Sequence, residues 1–477
     1  MTHPSHRSPV VAASGEILAQ RAPALERWSW ALYDFSNTIF SMNIATLFFA
    51  VWLVDDLHGT NTMVAIGNGV SSALVALSIP LFGAISDASQ RRKPWVVWFT
   101  LAAVAATIFM GVVGQFRVPL IGEAVLDPAV ATYTLHGAAA AAIITSFIIA
   151  NYAYQGAQPF YNAMMFELAP PVEQGRLSGV GTALGYVGSI VGVLLVTPFF
   201  NGTVPVAGAL PEGFLHAMRA VFPFTSHAGR VSTFSPTGIL FLLFSLPLFF
   251  FCKDHNAKKV TGGIPWRKGF ADLSNTIRDA RKYPGTIRFI LASFLYQDAI
   301  GTIVANMALY AVKAMDFKKG LETTLFVALT VPAVIGSYAI GKLVDRIGPK
   351  KSLMFTITCW VVLLIAMIFV PNQMSFWIVG AAIGLIFGGV PTAERPMLMT
   401  LVPDVEAGRF FSLMVLSSRA AAIVGPFIWA LTVDGLLPSY GTGFAYRAGV
   451  VTVAIGMLGS LAILWAVPDR WQRSSPA

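Results

Sequence analysis

From Trp28 onward the chain alternates long apolar runs with short polar stretches, and the runs approach the roughly 20 residues that a helix needs to cross a bilayer. About twelve such runs can be drawn, over 29–54, 63–86, 94–117, 136–167, 177–200, 234–252, 286–312, 322–343, 352–370, 375–401, 410–433 and 446–467. Six fall on each side of a basic stretch. The pattern predicts an all-α integral membrane protein with twelve transmembrane helices in two six-helix bundles, 28–252 and 286–467. A polar tail over 1–27 lacks the apolar core of a signal peptide, a linker spans 253–285, and a second tail spans 468–477. Within the linker Trp266, Phe270, Leu273 and Ile277 recur at 4-3-4 spacing among Arg267, Lys268, Arg278, Arg281 and Lys282. That spacing predicts an amphipathic helix lying on the inner leaflet and strapping the bundles together.

The halves echo each other. Leu168-Ala-Pro-Pro-Val-Glu-Gln-Gly-Arg176 returns as Leu401-Val-Pro-Asp-Val-Glu-Ala-Gly-Arg409, and the same offset of 233 aligns Ile190-Val191-Gly192 with Ile423-Val424-Gly425. Repeated hydrophobic segments are what transporter folds are built from, with the substrate site at the interface between repeats. A second pair lies between spans two and three and between spans eight and nine. Gly83-Ala-Ile-Ser-Asp87-Ala-Ser-Gln-Arg91-Arg92-Lys93 is echoed by Gly341-Lys-Leu-Val-Asp345-Arg346-Ile-Gly348-Pro-Lys350-Lys351. In both, a Gly lets a neighbouring helix approach, an Asp four residues on can cap or pair with Arg, and a basic cluster holds the loop inside. Gly83, Asp87, Arg91, Arg92, Arg176, Gly341, Asp345, Arg346 and Arg409 are therefore expected to form gating loops.

Composition removes several classes. With 56% hydrophobic residues, 12% charged residues and a mean hydropathy of +0.68, the chain cannot be a water-soluble domain. Its net charge of +9 sits mostly in loops on one side, as the positive-inside rule requires, so both termini are expected in the cytoplasm of a cell inner membrane and no nucleic-acid partner is expected. Cys252 and Cys359 lie in separate apolar runs and read as small packing residues. The histidines show no ligand spacing, so neither a metal nor a cofactor is expected. No Gly-x-x-x-x-Gly-Lys-Ser/Thr loop occurs, which excludes a nucleotide-driven pump of that kind. No nucleophile or metal constellation suggests an enzyme.

The loop Gly83-x-x-x-Asp87-x-x-x-Arg91-Arg92-Lys93 resembles the signature of the major facilitator superfamily. Trp30-Ala-Leu-Tyr-Asp34-Phe-Ser-Asn37, Gly175-Arg176-Leu-Ser-Gly179-Val-Gly-Thr-Ala-Leu-Gly185-Tyr186 and Tyr296-Gln-Asp298 resemble the autophagy-related vacuole effluxer family and its bacterial relatives. The resemblance runs from about Trp28 to the twelfth span. It implies a two-bundle fold with alternating access, amino-acid efflux in the vacuolar members, and a central cavity lined by spans one, four, seven and ten. Glu394-Arg395-Pro396 departs from the small and polar residues usual in the tenth span.

Polar residues inside the spans point to the same place, because charges in a bilayer persist where they pair or line a wet cavity. Asp34, Asn37 and Ser41 share one helical face. Asn151, Gln155, Gln158 and Asn162 form a 4-3-4 stripe, and Asp298, Thr302 and Asn306 repeat every fourth residue near Tyr296. Glu394, Arg395 and Arg419 add both signs of charge, and a buried Glu394–Arg419 pair is the structural alternative. The resulting expectation is a secondary active transporter for a small polar or zwitterionic solute, with amino acids first, coupled to protons through Asp298 or, second, Asp34. The alternative is a transporter-shaped receptor or assembly factor without transport.

Overall fold

The structure, a computed structural model, describes residues 21–53, 61–115, 137–204, 208–222, 225, 229–255, 283, 285–315, 317 and 322–471. Most of the linker, including its amphipathic stretch from Trp266 to Lys282, lies outside the described residues, as do most of the first tail and the end of the second.

The apolar runs are helices. In the first half they are α1 (Ala24–Phe40), α2 (Asn61–Ser89), α3 (Lys93–Gln115), α4 (Gly137–Leu168), α5 (Gln174–Asn201) and α6 (Phe234–Phe251). In the second half they are α7 (Thr286–Ala314), α8 (Glu322–Ile347), α9 (Pro349–Ile368) and α10, whose segments Gln373–Phe387 and Gly389–Leu401 meet at Gly388. The last helical run, Ala407–Trp465, is interrupted where Gly441 takes φ 76° and ψ 171°, and its parts are called α11 (407–440) and α12 (442–465). Proline marks several starts: Pro23 precedes α1, and Pro349 opens α9, where its missing N–H goes unused. Among the described residues seven helical stretches are long and apolar enough to cross a bilayer on composition alone. α1 is not among them, because its 17 residues give way to a π-helical continuation over Ser41–Phe48 before reaching that length.

Within the first half α1 packs on α5 and α6, and α3 on α4 and α6; within the second, α7 packs on the run that forms α11 and α12, and α8 on α10. The halves meet chiefly where α5 runs against α8 and α2 against α11, a pairing that follows the internal repeat. Close approach explains the glycines there. A Cβ on Gly83 would lie 2.7 Å from the Arg409 Cα, and one on Gly179 would lie 2.7 Å from the Ser337 carbonyl oxygen and 2.9 Å from the Gly341 Cα. The outward perimeter is greasy: Leu77, Ile335, Val362, Ile378, Phe427 and Ile455 are exposed, as a hydrocarbon solvent requires.

Candidate functional site

A cavity of about 400 Å³ lies between the halves, within the size range of small-molecule sites. Its wall takes Asp34, Asn37 and Thr38 from α1, Tyr154, Gln158 and Asn162 from α4, Gln297 from α7, Pro391, Glu394 and Arg395 from α10, and Phe411, Met414, Val415, Ser418 and Arg419 from α11.

Three charged groups in this wall are held differently. Arg395 reaches across to Asp34, Nη1 to Oδ2 at 2.9 Å and Nη2 to Oδ1 at 3.4 Å, so the pair joins the two halves. Its guanidinium carbon also stands 5.9 Å from the Trp30 ring and 5.7 Å from the Tyr161 ring. Those two rings stack at 4.6 Å and are tied by the Trp30 Nε1–H donating to the Tyr161 carbonyl at 2.9 Å. Glu394 is buried and accepts from three neutral donors on α7: the Ser293 hydroxyl, the Tyr296 hydroxyl at 2.7 Å and the Gln297 amide at 2.8 Å. Arg419 forms no ion pair with any described carboxylate, and its Nε has no hydrogen-bond partner among the described residues. Asn37 Oδ1 and Asn162 Oδ1 are likewise buried and unpartnered. Buried polar atoms left this way in a cavity wall are places where a polar solute gains most.

The face at which α1 begins and α12 ends is shut by a second set of contacts. Asp87 at the end of α2 accepts the N–H groups of Gly408 (2.9 Å) and Arg409 (3.2 Å) at the start of α11, and Arg409 Nε lies 3.3 Å from it. Asp345 near the end of α8 accepts the Arg176 N–H at the start of α5, 3.0 and 3.1 Å from its two oxygens. Each carboxylate therefore caps a helix of the opposite half. Burial raises the Asp87 carboxyl to about 7, against the lowering pull of Arg409's charge and of the two N–H groups. Burial likewise raises Asp345 to about 7, with the Arg176 N–H pulling the other way. Arg92 adds a contact without a twin. Fully buried, it donates to the Ala163 carbonyl (2.8 Å), Glu167 (3.1 Å) and, in the other half, Asp404 (2.9 Å). At the matching place Lys350 donates to the Trp465 carbonyl of its own half.

Seven residues singled out in the spans line the cavity: Asp34, Asn37, Gln158, Asn162, Glu394, Arg395 and Arg419. Tyr296 stands behind it, holding Glu394. Gln155 is buried with Oε1 unpartnered, outside the lining. Asp298 and Thr302 face α11 instead: Asp298 accepts the Gly425 N–H, and both side chains crowd the space a Cβ on Gly425 would need. Asn306 donates to the Thr302 carbonyl within α7. No pair joins Glu394 to Arg419 among the described residues, since α7 supplies the donors that Glu394 uses. Arg91, Arg176 and Arg346 have exposed side chains. Thr38, Tyr154, Gln297 and Ser418 were missed, although each stands next to a residue or stripe already marked and one helical step decides its face.

Paired repeats, a polar cavity between halves and helix-capping carboxylates at one face define a major facilitator transporter, a multi-pass membrane protein. The chain matches the model of the family described as "Vacuole effluxer Atg22 like" over residues 57–473, and it belongs to that family. It is 23% identical over 451 residues to the MFS-type transporter YxiO of Bacillus subtilis (strain 168), covering 93% of this chain and 94% of that protein. It is 22% identical over 283 residues to autophagy-related protein 22 of Eremothecium gossypii, covering 55% and 50%. Among solved structures it resembles a bacterial homologue of the iron transporter ferroportin in an outward-facing state, with TM-score 0.65, 15% identity and coverage of 93% and 99%. It also resembles the human organic anion transporter MFSD10, with TM-score 0.65, 12% identity and coverage of 93% and 100%.

Proposed function

We propose that this transporter carries a small zwitterionic solute, an amino acid before others, by alternating access coupled to protons. The observation that carries the reading is the unequal pairing of charges in the cavity. Asp34 neutralises Arg395, whereas among the described residues no carboxylate pairs with Arg419, which lines the same cavity as the unpartnered oxygens of Asn37 and Asn162. A guanidinium is matched to a carboxylate by its planar fork. Glu394 spends one acceptor position of Oε2 on Gln297 and keeps capacity for an ammonium group.

The coupling carboxyl on this reading is Glu394. Protonating Asp34 would strip Arg395 of its counter-charge, while Glu394 faces neutral donors and can change charge without orphaning a cation. Asp298, placed against Gly425, is a helix-contact carboxyl on this reading. With both termini in the cytoplasm, the shut face is the cytoplasmic one, and the Asp87, Asp345 and Arg92 contacts are the gate that must open for the solute to be exchanged there.

The test is counterflow in proteoliposomes with labelled amino acids, peptides and organic acids, with and without a pH gradient. Amino-acid exchange that a pH gradient drives uphill is the expected result. Exchange of organic anions alone would remove the ammonium half of the proposal. No exchange of any probe by a protein that still folds would favour a receptor.

A further inference from the structure

On the shut face, beside the cavity's gate and separate from the cavity, lies a pocket of about 310 Å³. Arg21, Arg27 and Trp28 at the start of α1, Glu173 and Arg176 at the start of α5, and Tyr338 of α8 line it. Its charge is unbalanced. Glu173 Oε2 is shared by Arg21 Nε (3.0 Å) and Arg27 Nη1 (3.3 Å), so one carboxylate serves two guanidiniums, and Arg176 adds a third positive charge that Asp345 of α8 opposes from beside the pocket. Arg27 feels the positive charges of both Arg21 and Arg176, and its buried Nε has no partner among the described residues. Lys342, stacked 4.5 Å over the Tyr338 ring, puts a further cation at the rim.

The rim is also amphipathic. Trp28 is 59% and Tyr338 40% exposed, and such rings at the end of spanning helices mark the headgroup level of a bilayer. A phosphate anion gains forked contacts from guanidiniums, and the adjoining rings and Val180 offer an apolar path for acyl chains.

We propose that this pocket binds the phosphate headgroup of an anionic phospholipid from the inner leaflet. The wall draws on both halves, so the site is complete only while α5 and α8 stay together, and an occupant there favours the shut gate.

The full-length protein would be taken from nanodiscs of phosphatidylcholine with and without phosphatidylglycerol, and retained lipids weighed by native mass spectrometry. Wild type should retain phosphatidylglycerol in preference to phosphatidylcholine. The double variant Arg27→Gln with Arg176→Gln should lower that retention by about tenfold, while Lys351→Gln, an exposed cation of the same face outside the pocket, should not. Glu173→Gln releases two guanidiniums and should raise retention, a change opposite in sign to what a damaged fold would give. Equal retention by wild type, the double variant and Glu173→Gln would overturn the proposal. Displacement of the lipid preference by inorganic phosphate at millimolar concentration, with no lipid retained afterwards, would overturn it in favour of a soluble anion.

Discussion

Arg395 and Arg419 line one cavity yet stand in opposite electrostatic positions, since one is satisfied across the interface by Asp34 and the other pairs with no carboxylate among the described residues. Losing a charged hydrogen-bond partner of a bound carboxylate costs about 1.5–3 kcal/mol, so Arg419→Gln should weaken solute affinity by about tenfold or more. Arg419→Lys keeps the charge and loses the planar fork, and should fall between wild type and Gln. Saturation of counterflow with the labelled solute measures both, and a Lys variant indistinguishable from wild type would mean that the fork is not used. Helical spacing made much of this wall legible, because Asp34 with Asn37 and Gln158 with Asn162 repeat at three and four. It could not orient α7. Gln297 reaches the cavity and its neighbour Asp298 meets Gly425, a rotation of one residue about the helix axis that only packing against α11 decides.

At the level of elements, the repeated loops were readable because duplication preserves Gly–Asp spacing, and each Asp does cap a helix of the other half. The Arg92–Asp404 bridge was not readable, since its partners lie 312 positions apart and the first copy carries Pro171 where the second has Asp404. The capping carboxyls also give the gate a pH response of known sign. Asp87 faces Arg409 and Arg92, and Asp345 faces Arg176 and Glu173. Burial raises both to about 7 in the shut state, whereas a carboxyl returned to water titrates near about 4. A group that holds its proton more tightly in the shut state favours that state in acid. The contribution is complete below about pH 4 and is lost as pH rises through 7. Asp87→Asn together with Asp345→Asn keeps an acceptor and removes the titration. Cytoplasmic labelling of a cysteine introduced by Ser178→Cys, whose hydroxyl now meets the Pro391 carbonyl across the interface, is divided at each pH by the labelling of the same cysteine in unfolded protein, which removes the thiolate's own pH dependence, and this ratio should rise between pH 5 and 8 in the otherwise native gate. The double Asn background should flatten that rise, and an unchanged slope would assign the response to groups other than these two caps.

For the molecule as a whole, a proton does work only if the two access states bind it unequally, since equal binding shifts nothing. Glu394 meets this condition on the proposed reading because its three donors come from α7 while the acid itself sits on α10. Movement of α10 against α7 would remove the donors that stabilise the charged form. Glu394→Gln fixes the neutral form, so it should abolish uphill accumulation driven by a pH gradient; because it also removes the ammonium's charged partner it should weaken solute affinity by about tenfold, while counterflow persists at saturating solute. Asp298→Asn supplies the comparison. Its carboxylate takes the Gly425 N–H between α7 and α11, so the substitution should lower thermal stability while keeping pH-driven accumulation in the protein that remains folded. Both variants belong in the same proteoliposome preparation, with counterflow and gradient-driven uptake read side by side. If Asp298→Asn loses accumulation and Glu394→Gln retains it, the proton travels with the carboxyl at the α7–α11 contact, and the coupling element is that contact instead of the cavity.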